Sequence, residues 1–84
     1  MKYPDGSKIR LQAAIGAEVR KHRLAVGLNR GKLAALVGVS DSTLAKIEDG
    51  QQAPSVFVLQ KIAFEFDVSL DTLVPVLISE ARVA

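Results

Sequence analysis

Covalent, acid–base or metal chemistry needs a reactive group beside an activator, and this chain of 84 residues supplies almost no such pairing. One histidine, His22, and no cysteine leave no basis for a His-based metal site and remove zinc fingers, thiol nucleophiles and disulfide frameworks. The carboxylates group as Glu48-Asp49 and as Glu65, Asp67 and Asp71, but no nucleophile, second histidine, metal-ligand spacing or glycine-rich phosphate loop accompanies them. Solvation and helix-terminus electrostatics account for them, so no enzyme, cofactor or metal is expected. What does cluster is positive charge. Residues 1 to 32 carry eight cations (Lys2, Lys8, Arg10, Arg20, Lys21, Arg23, Arg30, Lys32) against two anions (Asp5, Glu18), a net +6. Residues 33 to 84 carry three cations against seven anions, a net −4, for the overall +2. A basic half suits contact with a polyanion; the plainer alternative is the solvated face of an ordinary helix.

The elements that must position these charges follow from length and periodicity. Eighty-four residues allow one domain with a small core, and without disulfides economical helix packing or a partner subunit has to compensate. Pro4, Asp5, Gly6 and Ser7 are turn formers, so residues 1–10 are expected to be a flexible basic arm, in which Lys2, Lys8 and Arg10 either follow a nucleic-acid backbone or lie in a disordered terminus. Residues 11–84 then form a single domain. A first helix is read from Leu11, with Leu11, Ile15, Val19, His22 and Val26 on one face and Gly27 as its stop. His22 on that face is read as a partly buried packing residue. Asn29 caps a short second helix whose stripe is Leu33, Ala34, Leu36 and Val37, ended by Gly38. Ser40 caps a third, anchored by Leu44 and Ile47 and broken at Asp49-Gly50.

Pro54-Ser55 opens a fourth helix with Val56, Leu59, Ile62, Ala63 and Phe66 facing inward, which leaves Phe57 and Phe64 on a different face. Either the fifth segment folds over these two phenylalanines or they join Val74, Leu77 and Ile78 in an intermolecular surface. Ser69 caps that fifth segment, with Asp71 in its first turn and a kink or restart at Pro75, and residues 70–84 form a C-terminal helical interaction segment. Strand alternation is not sustained anywhere, so the class is all-α. Met1 to Gly6 lack an apolar signal core, and the apolar run from Leu73 to Ile78 is far short of a membrane span, so a soluble cytoplasmic protein is expected.

The stretch from Gly27 to Gly50 looks like a helix-turn-helix. Ala34 is small enough for two helices to cross closely, Gly38 accepts the turn, Ser40 caps the second helix, and Leu44 and Ile47 anchor it. Further pieces stand in register with it: Val19-Arg20-x-x-Arg23, Gly27-Leu28-Asn29, Gly38-Val39-Ser40, Ile47-Glu48-x-Gly50, Pro54-Ser55, Leu59-x-Lys61-Ile62-Ala63 and Val68-Ser69-Leu70-Asp71-x-Leu73. Over roughly residues 15 to 74 the chain is similar to the Xre or Cro/cI-type helix-turn-helix family of phage and bacterial transcriptional regulators. The resemblance implies a compact five-helix lambda-repressor-like domain with the helix-turn-helix formed by helices two and three.

Carried over residue by residue, the resemblance implies a structural ion pair of Arg23 with Glu48, base contacts from Asp41, Ser42, Thr43 and Lys46, and phosphate contacts from Asn29, Arg30 and Lys32. Asp41 and Asp49 depart from the family pattern; an aspartate at the leading position accepts a hydrogen bond from cytosine N4 but repels phosphate. The implied function is a small repressor or controller that binds double-stranded DNA as a homodimer on a palindromic operator. The alternative is a helix-turn-helix used for protein binding, such as an antiactivator or antitoxin that grips a partner through the C-terminal apolar surface.

Overall fold

The computed structural model describes residues 6–75. Five helices follow one another: α1 Ser7–Ala25, α2 Arg30–Val37, α3 Asp41–Glu48, α4 Val56–Phe66 and α5 Leu70–Leu73, with no strand among the described residues. Each boundary has a local cause. Asn29 Oδ1 accepts the Lys32 N–H (2.8 Å), Ser40 Oγ the Thr43 N–H (3.0 Å) and Ser55 Oγ the Val58 N–H (3.1 Å), so the three inner helices start where a short polar side chain satisfies an orphan donor. Their ends are set by left-handed residues. At Gly50 (φ 76°) the chain reverses so that Gln51 N–H reaches the Lys46 carbonyl at 2.9 Å. α4 stops in the same way at Asp67, a non-glycine residue at φ 55° whose Cβ makes that conformation costly.

The core is Ile15 and Val19 of α1, Leu33, Ala34 and Val37 of α2, Leu44 and Ile47 of α3, Ile62, Ala63 and Phe66 of α4, and Leu73 of α5. α1 packs against α3, α4 and α5, and α2 bridges α3 and α4. Leu11, Leu28, Val39, Val58, Leu59, Val68, Leu70 and Val74 close the periphery of this cluster. His22 packs as expected, half-buried with its ring centroid 5.9 Å from that of Phe66.

Several expectations are corrected. α1 begins at Ser7 rather than Leu11, because Gly6 in the left-handed region turns the chain and its carbonyl already accepts the Arg10 N–H at 2.9 Å. Lys8 and Arg10 therefore stand on exposed helical turns and not in an arm, while Lys2 lies outside the described residues. Three apolar residues expected inside are exposed: Val26, Leu36 and Val56. Val26 lies beyond the last turn of α1, and Val56 is the first residue of α4. Leu36 sits at the edge of its stripe, about 100° from the centre of the face shared by Leu33, Ala34 and Val37. α5 ends at Leu73, before the extended residue that Pro75 requires ahead of it, and Val74 turns inward to half-burial against the core.

α1 and α3 approach closely at Gly16. A side-chain carbon placed there would fall inside the van der Waals shells of the Ile47 and Glu48 carbonyl oxygens, so a bare backbone lets α1 lie directly on the end of α3. Gly16→Ala would normally strengthen a helix by about 1 kcal/mol through propensity. In this chain the clash should reverse the sign, destabilising the fold by about 1–3 kcal/mol and lowering Tm by at least about 4 °C in a thermal melt. A higher Tm for Gly16→Ala would contradict this packing.

Candidate nucleic-acid interface

The end of α3 is fixed by a buried ion pair. Arg23 Nε donates to Glu48 Oε2 at 2.6 Å and Nη2 to Oε1 at 3.1 Å, while Nη1 donates to the Leu28 carbonyl at 2.8 Å. The Glu48 side chain is fully buried and that of Arg23 nearly so, and no buried side-chain nitrogen or oxygen among the described residues lacks a partner. Arg20 adds a longer contact from the exposed edge, 3.7 Å to Glu48 Oε1. One guanidinium thus joins three pieces of chain: α1, the turn at Leu28 that launches α2, and the last residue of α3. Isolated in the interior, either charge would carry a large desolvation cost; together, with each guanidinium nitrogen and each carboxylate oxygen bonded, they form a three-way bracket. The Arg23–Glu48 pairing implied by the family resemblance is present.

With its far end held, α3 exposes its leading residues. Asp41, Ser42 and Lys46 are exposed and Thr43 half-buried. Thr43 is largely spent on structure, because its hydroxyl and its N–H both engage Ser40. Asn29 and Lys32 are exposed at the start of α2, where the Asn29 carbonyl oxygen is committed to the cap and its amide N–H groups are left for an external acceptor.

The feature absent from the sequence reading is a direct bond between two of its candidates. Arg30, first residue of α2, donates from Nε to Oδ1 of Asp41, first residue of α3, at 2.8 Å. The two side chains are 40% and 59% exposed, so the pair lies on the surface where the helix N-termini meet. The Asp41 hydrogen bond, reinforced by its charge, holds the Arg30 guanidinium above its ordinary range. A leading arginine and a leading aspartate eleven residues apart in such a motif were the available signal; nothing along either helix alone joins them.

A second face is apolar. Phe57 (78% exposed) and Phe64 (83%) stand on the side of α4 opposite Ile62 and Phe66, and with Leu36, Gln60, Lys61 and Glu65 they line a shallow groove between α2 and α4. α5 packs on the inner side of the domain and leaves both rings uncovered by any described residue. Leu77 and Ile78, expected on this surface, lie outside the described residues. Among those residues no helix is long and apolar enough to cross a membrane, and no group of histidine or carboxylate side chains is arranged to hold a metal ion.

Residues 19–73 match the helix-turn-helix family model. An uncharacterised HTH-type transcriptional regulator from Methanothermobacter thermautotrophicus is 38% identical over 45 residues, which are 54% of this chain and 65% of that protein, a little under two thirds of its length. Among solved structures, the restriction-modification controller protein C.AhdI from Aeromonas hydrophila superposes with a TM-score of 0.69 at 31% identity, covering 74% of this chain and 94% of that one. The clp gene regulator ClgR from Corynebacterium glutamicum gives a TM-score of 0.72 at 27% identity, over 75% of this chain and 67% of that one.

Removing one partner of the buried pair isolates the other, so Arg23→Ala should cost about 3–5 kcal/mol, a large share of what a domain of this size holds. Replacing both, as Arg23→Met with Glu48→Leu, should recover most of that loss, because the desolvation cost disappears with the charges. Denaturant unfolding of the two variants measures both effects. Equal losses for the single and double changes would mean that packing, not the lone charge, sets the cost.

Proposed function

The chain belongs to the helix-turn-helix family of DNA-binding transcription regulators, and from that premise we propose that it acts as a cytoplasmic homodimer on an approximately palindromic operator. The observation that carries this reading is α3: anchored through Glu48, capped by Ser40, and exposing Ser42 and Lys46 beside the basic start of α2. In the major groove Lys46 and Ser42 reach base edges, Asp41 meets a cytosine amino group, and Thr43 fixes the helix start next to them. Asn29, Arg30 and Lys32 lie where the neighbouring phosphates run, with the α2 N-terminus adding its partial positive charge. Likeness to the restriction-modification controller supports an output that comes from occupying DNA, as a repressor or controller of nearby genes.

The apolar groove supplies the dimer surface. Phe57, Lys61, Phe64 and Glu65 recur along one stripe of α4. Two copies joined through this stripe about a two-fold axis bury the phenylalanines of both, with Lys61 and Glu65 placed for charge pairing beside them. Two exposed phenylalanines and a leucine line one groove, a contiguous apolar patch of the kind that marks an interaction surface. A second reading, a helix-turn-helix turned to protein binding, draws on the same groove and on the aspartate that neutralises Arg30.

Two measurements test the assignment. Lys46→Ala should alter preference among operator variants, with about 1–3 kcal/mol at the base pair it reads; an equal loss on every sequence would make it a phosphate contact. Phe57→Ser with Phe64→Ser should keep the thermal melt of a folded domain, sediment as a monomer, and lose most affinity for a duplex with two half-sites while binding a single half-site as before. A wild-type monomer with no affinity for any duplex, in a chain that captures a protein partner through Phe64, would establish the second reading instead.

A further inference from the structure

Arg30 and Asp41 are each exposed, each leads a helix of the motif, and they are bonded to one another at 2.8 Å. A carboxylate and a phosphate are the same kind of acceptor for a guanidinium, so on DNA they compete for Arg30. If Arg30 turns to phosphate, Asp41 is left as an unpaired anion facing a polyanion. The arrangement is favourable only where the groove supplies a donor, and in the major groove the donors are the amino groups of cytosine and adenine; guanine N7 and O6 and thymine O4 are acceptors that repel a carboxylate. Cytosine offers its amine without the adjacent N7 acceptor that adenine carries. Among the described residues, Lys46 is the nearest cation along α3, but it stands more than one helical turn further on, so no residue on the reading helix duplicates the bond to Asp41.

Resting on the proposed DNA-binding function, we propose that Asp41 is a specificity gate: it occupies Arg30 on non-specific duplex and gives it up to phosphate only where a base amine, that of cytosine, takes the carboxylate. The pair thereby links a phosphate contact, which by itself carries no sequence information, to one base. The cost of the gate falls on non-specific binding, where one cation of the α2 terminus releases no counterion. On the matching site the released Arg30 regains that contact. Both side chains already lie in solvent, so the exchange needs no rearrangement of the core.

The test is the binding of a random-sequence duplex over a range of salt by the full chain, by Asp41→Ala, by Arg30→Ala and by the double variant, all checked by thermal melting. Asp41→Ala should bind this duplex more tightly than wild type, with the slope of log K against log salt steeper by about 0.9, which widens its advantage about 3.5-fold between about 200 mM and about 50 mM salt. In the Arg30→Ala background the same substitution should give no such steepening. A steepening that survives without Arg30 would mean that Asp41 acts only by through-space repulsion, and an unchanged or weaker Asp41→Ala would mean that it holds nothing back; either overturns the gate. Selection from a randomised duplex pool tests the other half. Wild type should enrich cytosine at one position per half-site, and Asp41→Ala should lose that preference while keeping the others. Enrichment of a pure acceptor base at that position would overturn the cytosine assignment while leaving duplex binding intact, whereas no binding of any duplex by any of the four proteins would overturn the DNA-binding function together with the gate.

Discussion

Three pieces of this fold meet at one guanidinium. Arg23 sits between the carboxylate of Glu48 and the carbonyl of Leu28, and those bonds fix the last residue of α3 and the turn before α2 relative to the longest helix. Beside them Gly16 has no side chain to hold α1 off the end of α3. A buried ion pair is a poor way to add net stability, because desolvating two charges consumes most of their attraction. It is a demanding way to specify position, since a shift that breaks the fork strands a charge in the interior. Apolar contacts from Leu44 and Ile47 tolerate small slides that the pair does not.

The charge of the chain follows from that architecture. The +6 half includes α1 and the start of α2, and seven of the nine acidic residues stand from Asp41 onward, so α3, the helix proposed to enter a groove, is the less basic member of the motif. Asp41 and Asp49 flank it at either end. In the proposed complex, attraction to the duplex therefore comes from the scaffold around α3, while α3 itself contributes one exposed cation, Lys46, and short polar side chains. Such a division lowers the sequence-independent part of binding and leaves base contacts a larger share of the whole. Arg30 belongs to the scaffold by position but is tied to the reading helix by its bond.

What could be read from the sequence was whatever depends on neighbours along the chain. Asn29, Ser40 and Ser55 satisfy donors three residues on, and Gly27, Gly38 and Gly50 end helices wherever their own φ is positive, so element order and most boundaries were legible without tertiary information. The inner faces of α3 and α4 followed from periodicity, apart from Val56 at a helix end. Leu36 and Val26 failed because apolar character does not say where a short stripe stops, and Ser7 failed because turn formers and helix starters are the same residue types. The site was legible in membership but not in wiring. Arg23 and Glu48 were paired through family likeness; Arg30 and Asp41 were assigned separate partners, phosphate and base, since each suits one and only the packing of α2 on α3 brings them within a hydrogen bond.

α3 thus differs in kind from one end to the other over eight residues. Its C-terminal turn is locked: Ile47 and Glu48 are buried, and Gly50 follows with its α-carbon so near Ala13 that an added side chain would clash. In its N-terminal turn Leu44 is buried, but the leading residue Asp41 is exposed, and its side chain is engaged in a solvent-exposed pair with Arg30 beside the Ser40 cap. A helix that reads sequence needs both properties. Rigidity at the buried end keeps Lys46 and Ser42 in one register and avoids an ordering cost on binding. Under the proposed gate, exchangeable bonds at the exposed end let the leading residue trade one partner for another in response to a base. Reversing the arrangement, with the fork at the leading end and the loose pair at the trailing end, would fix the side chain that most needs to respond and free the helix axis that most needs to stay. The burial of Glu48 and the exposure of Asp41 are therefore the two halves of what the proposed reading role asks of α3, and the apolar face on α4, proposed to join a second copy, involves neither residue.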